Sequence, residues 1–270
     1  ILMNGFQTKP ISIQRGVKQG DALSCGLFVL ALDPLIRNID NKAEIKPITM
    51  VSSKFNNFLT AKIFAYADDI CIFTLNRPAS IQAIFNEYER LTNFSGLHLN
   101  ADKTEILCVN NNLNRNINRS INFNYTNTNY NVLPCPHITI CGIRFSNDSN
   151  IEYEYNILRR IDAMENQLKR WVCRDLTLNG RNMIAKTFGF SQLVYALQCC
   201  ELKAEDTIRI ERIYFKFLWC KRWDSSAPDR TKRSILKAPK EDGGLNCVDV
   251  CSLNESIKLR QYFKSLHSEG

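Results

Sequence analysis

The sequence predicts an α+β chain, with short antiparallel strands in its first part and helices after residue 150. Three observations lead there. Two apolar runs, Lys62-Ile63-Phe64-Ala65 and Ile70-Cys71-Ile72-Phe73-Thr74, are β-branched and aromatic, lack Gly and Pro, and flank the tetrad Tyr66-Ala67-Asp68-Asp69, which suits two strands joined by a very tight turn. Beyond Asn150 the apolar period changes to three and four, in Ile157, Ile161, Met164 and Leu168. Between these regions half of residues 110–131 are asparagine, a composition that marks a boundary.

Taken in order, Arg15-Gly16-Val17-Lys18-Gln19-Gly20-Asp21 reads as a loop feeding a helix. Leu23, Leu27, Leu30, Ala31 and Leu35 recur at helical spacing, Asp21 suits the N-cap, and Pro34 is expected to kink or end the helix. Gly16 and Gly20 allow unusual dihedrals and close backbone approach to a ligand, and Gln19 offers an amide. After the hairpin, Ile81, Ile84, Phe85, Tyr88 and Leu91 form one face of a second helix, stopped by Gly96. Leu97, Leu99 and residues 105–109 suggest extended chain on either side of a turn at Asn100 to Asp102. Within the Asn-rich stretch, Ile121, Phe123 and Tyr125 alternate as in a strand. Later helices are expected around Ile184, Phe188, Leu193 and Leu197, at residues 208–219, and at residues 253–266 after a turn at 239–244.

The composition is globular: 44% of the 270 residues are hydrophobic, enough to bury a core. The formal net charge is +8, with basic residues gathered late and interleaved with Trp171, Tyr214, Phe215, Phe217, Trp219 and Trp223. That mixture fits a helical surface that tracks phosphates, and equally a solvated face. Eleven cysteines without a repeated CxxC fit reduced thiols of an intracellular protein, in nucleus or cytoplasm, rather than a secreted scaffold. Cys135, His137 and Cys141, and Cys247 with Cys251 and His267, come nearest to a zinc spacing. There is no apolar run of about 18 residues, so no membrane span is expected.

The chemistry is concentrated at the tetrad. Side chains on a strand alternate between faces, so adjacent Asp68 and Asp69 cannot both point the same way and should differ in role. A rigid, tight hairpin carrying acids at its tip can hold a divalent cation; a solvated acidic turn is the other reading.

RGVKQGDALS, YADD and SGLHLNADKT, in this order, resemble the later blocks of reverse transcriptases from non-LTR (LINE-like) retrotransposons. Ile140-Cys141-Gly142-Ile143-Arg144-Phe145 is similar to that family's primer-grip block, with Cys141 where Leu is usual, and Leu168-Lys169-Arg170-Trp171 through Leu178-Asn179-Gly180-Arg181-Asn182 resembles the region after its palm. The resemblance implies a partial right-hand palm over residues 1–109, an Asn-rich loop and primer-grip hairpin over 110–150, and a helical basic thumb over 151–270. It implies RNA-directed DNA synthesis using Mg²⁺, or Mn²⁺, with an RNA template, a DNA primer and deoxynucleoside triphosphates as partners. Asp68, supported by Asp69, would hold the metals, and Tyr66 would pack beside the primer terminus. Gly16, Gln19 and Gly20 would line the nucleotide and template side, and Lys103 would donate a proton to pyrophosphate. Gly142, Lys169, Arg170, Arg174 and Arg181 would meet nucleic acid.

The family places a further catalytic aspartate well upstream of its RGVKQG-like block, whereas the first acid here is Asp21. The sequence therefore reads as the interior of a larger protein whose N-terminal polymerase part lies elsewhere, and the chain alone is expected to be inactive. A catalytically inactive nucleic-acid-binding remnant and a polymerase-derived scaffold are the other functions these residues allow.

Overall fold

The computed structural model describes residues 2–3, 6–7, 9, 16–17, 20–52, 57–109 and 120–267. They form an α+β chain of two compact units, Ile1–Cys141 and Gly142–Gly270.

The first unit contains small antiparallel hairpins and two long helices. Strands β1 (Leu2–Met3) and β2 (Phe6–Gln7) pair first, then β3 (Ile48–Ser52) with β4 (Asn57–Ala61) and β5 (Ile63–Tyr66) with β6 (Asp69–Ile72). Strands β7 (Ile121–Tyr125) and β8 (Thr128–Val132) follow, and β9 (His137–Ile140) closes the unit. The expected strand at Ile121, Phe123 and Tyr125 is present with all three residues buried. Phe123 stacks on Phe85 at 3.5 Å between ring centroids. By contrast, residues 105–109 form no strand. Asn100 accepts a bond from the Lys103 amide and turns the chain into a single 3₁₀ turn, Ala101–Lys103.

Helix α1 (Ser24–Asn41) corrects the expected start and end, and all of the expected buried stripe except Leu35. Its N-cap is Leu23, because the Asp21 carboxylate closes a local turn by accepting the Leu23 amide at 3.0 Å. Pro34 lies inside the helix without ending it. The buried stripe is Leu32, Leu35 and Ile39, while Leu23, Leu27 and Leu30 are exposed. Both stripes have helical spacing. The one that wins is the one facing helix α2 (Pro78–Ser95), where Leu35, Ile39, Ala83 and Ile84 share a core with Ile45. Pro78 at the start of α2 and Gly96 at its end, with φ of 71°, set its limits.

The second unit begins with β10 (Ile143–Ser146) and is otherwise helical. Helix α3 (Ser149–Tyr153) runs through a π-helical segment, Glu154–Leu158, into α4 (Arg159–Trp171). Helix α5 (Leu178–Ile184), a second π segment (Ala185–Phe190) and α6 (Ser191–Leu197) follow, then α7 (Ala204–Trp219), α8 (Arg233–Lys237) and α9 (Val250–His267). Ile157, Ile161, Met164 and Leu168 are fully buried, so the expected α4 stripe is the centre of this core, with Leu193, Leu197, Ile210 and Phe217 around it. Truncating Leu168 to alanine should cost about 2–5 kcal/mol. Gly189 is small because a Cβ there would lie 3.2 Å from the Leu168 side chain.

Candidate active site

The β5–β6 register, Ile63 with Ile72, Phe64 with Cys71, Ala65 with Ile70 and Tyr66 with Asp69, divides the hairpin into two faces. Ile63, Ile70 and Ile72 pack against the α1–α2 core. Phe64, Tyr66, Asp69 and Cys71 therefore share the opposite face, where Phe64 and Tyr66 are exposed. Phe73 extends this face and meets Phe64 edge-on at 5.6 Å. The base of the hairpin is tied to α1 by Lys62, whose ammonium donates to the carbonyls of Asp40 and Lys42 at the helix C-terminus.

Ala67 and Asp68 form the two-residue turn, and both aspartates are exposed. Ala67 has φ of 53° while Asp68 is not among the positive-φ residues. Positive φ at the first central residue alone is the sign found in II′ hairpin turns, where glycine is usual. The turn thus puts Asp68 at the tip, while Asp69 begins β6 on the Tyr66 face.

Cys141, at the end of the first unit, brings its thiol within 4.0 Å of Asp69 Oδ2. Burial, and then neighbouring Cys141, push the Cys71 thiol above its ordinary value. Cys141 and Gly142 both have positive φ, as a tight turn between β9 and β10 requires. No local signal announces the approach of Cys141 to a residue 72 positions away.

The other expected site residues are distributed. Gly16 and Gly20 have φ of 95° and 86°, conformations that favour glycine, and open space lies where a Cβ would stand. Gln19 lies outside the described residues. Lys103 is exposed on its 3₁₀ turn and is neither hydrogen-bonded nor ion-paired to Asp68 or Asp69. The segment before it is pinned by Tyr125, whose hydroxyl accepts the Leu99 amide at 2.9 Å and bonds Thr92 at 2.8 Å.

In the second unit, Arg170 is exposed, Lys169 pairs with Glu165 at 2.9 Å, and Arg174 lies over the Trp171 ring at 4.9 Å. Arg181 departs from its expected role. It is buried, and its guanidinium donates to the carbonyls of Phe217, Cys220 and Val172 at 2.8, 2.6 and 3.2 Å. A guanidinium turned inward onto backbone acceptors holds helices together and is not presented to a phosphate.

The tip carboxylates are hard oxygen donors of the kind Mg²⁺ takes. Among the described residues no group of three or more His, Cys, Asp or Glu could hold a metal ion, so neither cysteine–histidine spacing forms a zinc centre there. None of the eleven cysteines forms a disulfide. Among the described residues no helix is long and apolar enough to cross a membrane.

Residues 2–150 match the family described as reverse transcriptase (RNA-dependent DNA polymerase). Over 100 residues, 37% of this chain, the sequence is 33% identical to the retrovirus-related Pol polyprotein from type-2 retrotransposable element R2DM of Drosophila melanogaster. Over its whole length it is 23% identical to the transposon TX1 uncharacterized 149 kDa protein of Xenopus laevis. The matches span 8% and 19% of the lengths of these two relatives.

Proposed function

The chain belongs to the reverse transcriptase (RNA-dependent DNA polymerase) family, as a non-LTR retrotransposon type, and from that premise we propose that the β5–β6 hairpin is the acid-bearing part of a site for RNA-templated DNA synthesis. The observation that carries this reading is the division of the hairpin. One face is anchored in an apolar core, and the tip and opposite face present Asp68, Asp69 and Tyr66 to solvent. Such anchoring suits carboxylates that must keep their positions while charge builds at phosphorus.

In this reading Asp68 holds Mg²⁺, with Mn²⁺ as an alternative, and Asp69 assists. Asp68 and Asp69 would hold the divalent ions, which when bound would supply positive charge to the phosphoryl transfer. Tyr66, 74% exposed and on the Asp69 face, packs beside the primer terminus. Gly16 and Gly20 let backbone approach the nucleotide and template, with Gln19 between them. Lys103 neutralises the departing pyrophosphate and gives it a proton. Residues 1–109 act as part of a palm, 110–150 as an Asn-rich loop and primer-grip hairpin turning at Gly142, and 151–270 as a thumb. On the thumb Lys169, Arg170 and Arg174 meet the backbones of RNA template and DNA primer. The family resemblance adds a further carboxylate to the two at the tip, so in this reading the 270-residue chain by itself should not extend a primer. The same shortage favours, as a second reading, a nucleic-acid-binding remnant without catalysis.

The test is primer extension on an RNA template by a polymerase polypeptide that contains this chain together with the further carboxylate. Asp68→Asn should abolish extension, because an amide cannot replace an anionic ligand of the cations, and Asp69→Asn should cost less. Retained extension in Asp68→Asn would overturn the assignment.

A further inference from the structure

The acid hairpin hangs from the segment that follows helix α1, and both of its strands reach that segment. On the β5 side the Lys62 ammonium donates to the carbonyls of Asp40 and Lys42, the second at 3.0 Å. On the β6 side the Leu75 amide donates to the Lys46 carbonyl at 3.0 Å, and the Thr74 hydroxyl donates to the same oxygen at 3.1 Å. Between the strands the Phe73 amide donates to the Lys62 carbonyl at 2.7 Å, just below the pair of Ile63 with Ile72. The segment is itself fastened to α2. Buried Ser80 donates its hydroxyl to the Glu44 carbonyl at 2.7 Å, and Lys42 Nζ lies 2.6 Å from Oε1 of buried Glu87, whose other oxygen accepts the Asn38 amide at 3.2 Å.

Lys62 supplies two things that the apolar contacts of the hairpin do not. The first is charge at a helix end, where unpaired carbonyls carry partial negative charge. The last turn of α1 holds no basic residue, and the ammonium of Lys42, just beyond it, is engaged by Glu87, so Lys62 brings the cation to these carbonyls from the base of the hairpin. The second is direction. Packing of Ile63, Ile70 and Ile72 on the α1–α2 core sets the depth of the hairpin, but apolar contact is non-directional, whereas two hydrogen bonds from one ammonium are not. Tyr66 ends β5 four residues beyond Lys62, about 13 Å along a strand, so a tilt of about 5° at the base moves the acid tip by about 1 Å. A displacement of that size can slow a reaction that needs aligned groups by about a hundredfold.

We propose that Lys62 is a positioning residue for the phosphoryl transfer: by holding the base of the hairpin to the end of α1 it aims Asp68 and Asp69. This rests on the reading of the tip as the metal-holding part of a polymerase site. Lys62 acts through the backbone of β5 and touches neither substrate nor the reacting atoms.

The experiment is primer extension on an RNA template by the polymerase polypeptide in which Asp68→Asn is tested, with rates expressed per active site counted from the first-turnover burst. Lys62→Met should lower kcat per site by about tenfold to a hundredfold, leave KM for the primer-template within about twofold of wild type, and raise the Mg²⁺ concentration needed for half-maximal rate. Lys62→Arg, which can donate to both carbonyls, should restore kcat to within about threefold of wild type. A purely structural lysine would instead lower the burst amplitude and leave the rate per site and the Mg²⁺ requirement unchanged, and that result would overturn the proposal. Thr74→Val removes one tie on the other strand while the Leu75 amide keeps its own, and should lower kcat per site by about two- to fivefold. Should Lys62→Met fail to fold, a wild-type rate and Mg²⁺ requirement in Thr74→Val would overturn the proposal in its place. Asp68→Asn separates the two readings. If it still extends primers, the reading of the tip fails; if it abolishes extension while Lys62→Met extends as the wild type does, the positioning role alone fails.

Discussion

The Cys141 thiol lies 4.0 Å from Oδ2 of Asp69, joining the last residue of the first unit to the acid face of its central hairpin. Cys71 stands two residues beyond Asp69 on that face, so a second thiol neighbours the same carboxylate's strand. The open side of the hairpin is therefore acid, aromatic and thiol together, while its other side is purely aliphatic.

Cys71 should be a slow thiol. Burial, and then Cys141, raise it above its ordinary value of 9.0, so at pH 8 less of it is thiolate than of an exposed cysteine. Labelling by iodoacetamide, followed by peptide mass mapping, should modify exposed Cys25, Cys173 and Cys251 first. Cys71 should catch up only as pH rises beyond 9.0. Cys141→Ala should speed Cys71 only slightly, since burial is the larger cause. Labelling of Cys71 as fast as Cys25 at pH 8 would contradict this account.

Ala67 carries strain that glycine would relieve. Its φ of 53° brings Cβ toward the following carbonyl, at a cost of about 1–2 kcal/mol for an L-residue, while glycine gives part of that back as lost chain entropy. Ala67→Gly should stabilise the first unit by about 0.5–1 kcal/mol in urea unfolding, and Ala67→Val should destabilise it. Both variants moving the midpoint in the same direction would rule out a left-handed turn residue.

The elements legible in the sequence are those with one period and one apolar stripe. Ile121, Phe123 and Tyr125 alternate, and Ile157, Ile161, Met164 and Leu168 recur by three and four, so each has only one face to bury. On helix α1 only Leu35 of the expected stripe is buried, joined by Leu32 and Ile39 where the helix packs on α2, while Leu27 and Leu30 stay exposed. The acid tip is readable because its flanks are strand formers and its turn is short. The Cys141 approach to Asp69 is not, because chain folding across 72 positions brings them together. Arg181 looks like part of a basic surface, since a one-letter pattern does not distinguish a guanidinium facing water from one facing three carbonyls. Arg144 and Arg159, fifteen positions apart, meet only through the Tyr155 ring.

Alkaline pH should unfold the chain through its buried phenols. Burial, and then Tyr125, push Tyr88 up to about 12, and Tyr153 and Tyr214 shift upward as well, burial again being the largest cause. A phenol raised in the folded state gives stability that is whole below its unfolded value near 10.0 and is lost as pH rises through the folded value. For Tyr88 that window is from 10.0 to about 12, and the loss is on the order of 2 kcal/mol. Thermal melts should fall steadily across it, and Tyr88→Phe should flatten the fall. An unchanged pH dependence in Tyr88→Phe would assign the loss to other groups.

Arg181 should prove a fold residue by separating stability from nucleic-acid binding. It is 6% exposed, and removing its guanidinium leaves the carbonyls of Phe217, Cys220 and Val172 without their donor in a site closed to water. Arg181→Leu should cost about 3–5 kcal/mol, since each orphaned buried acceptor carries its own desolvation penalty. Arg181→Lys keeps the charge but cannot span three acceptors with a fork, so it should lose part of that stability. The lysine variant, assayed well below its melting temperature, should bind a DNA duplex with the wild-type salt slope. To separate charge from fork geometry, Arg181→Gln should be run beside it at the same temperature. A slope reduced by about the share of one phosphate in the glutamine variant but restored in the lysine variant would return Arg181 to the nucleic-acid surface. Equal slopes in all three proteins, with stability falling from arginine to lysine to glutamine, would establish its structural role.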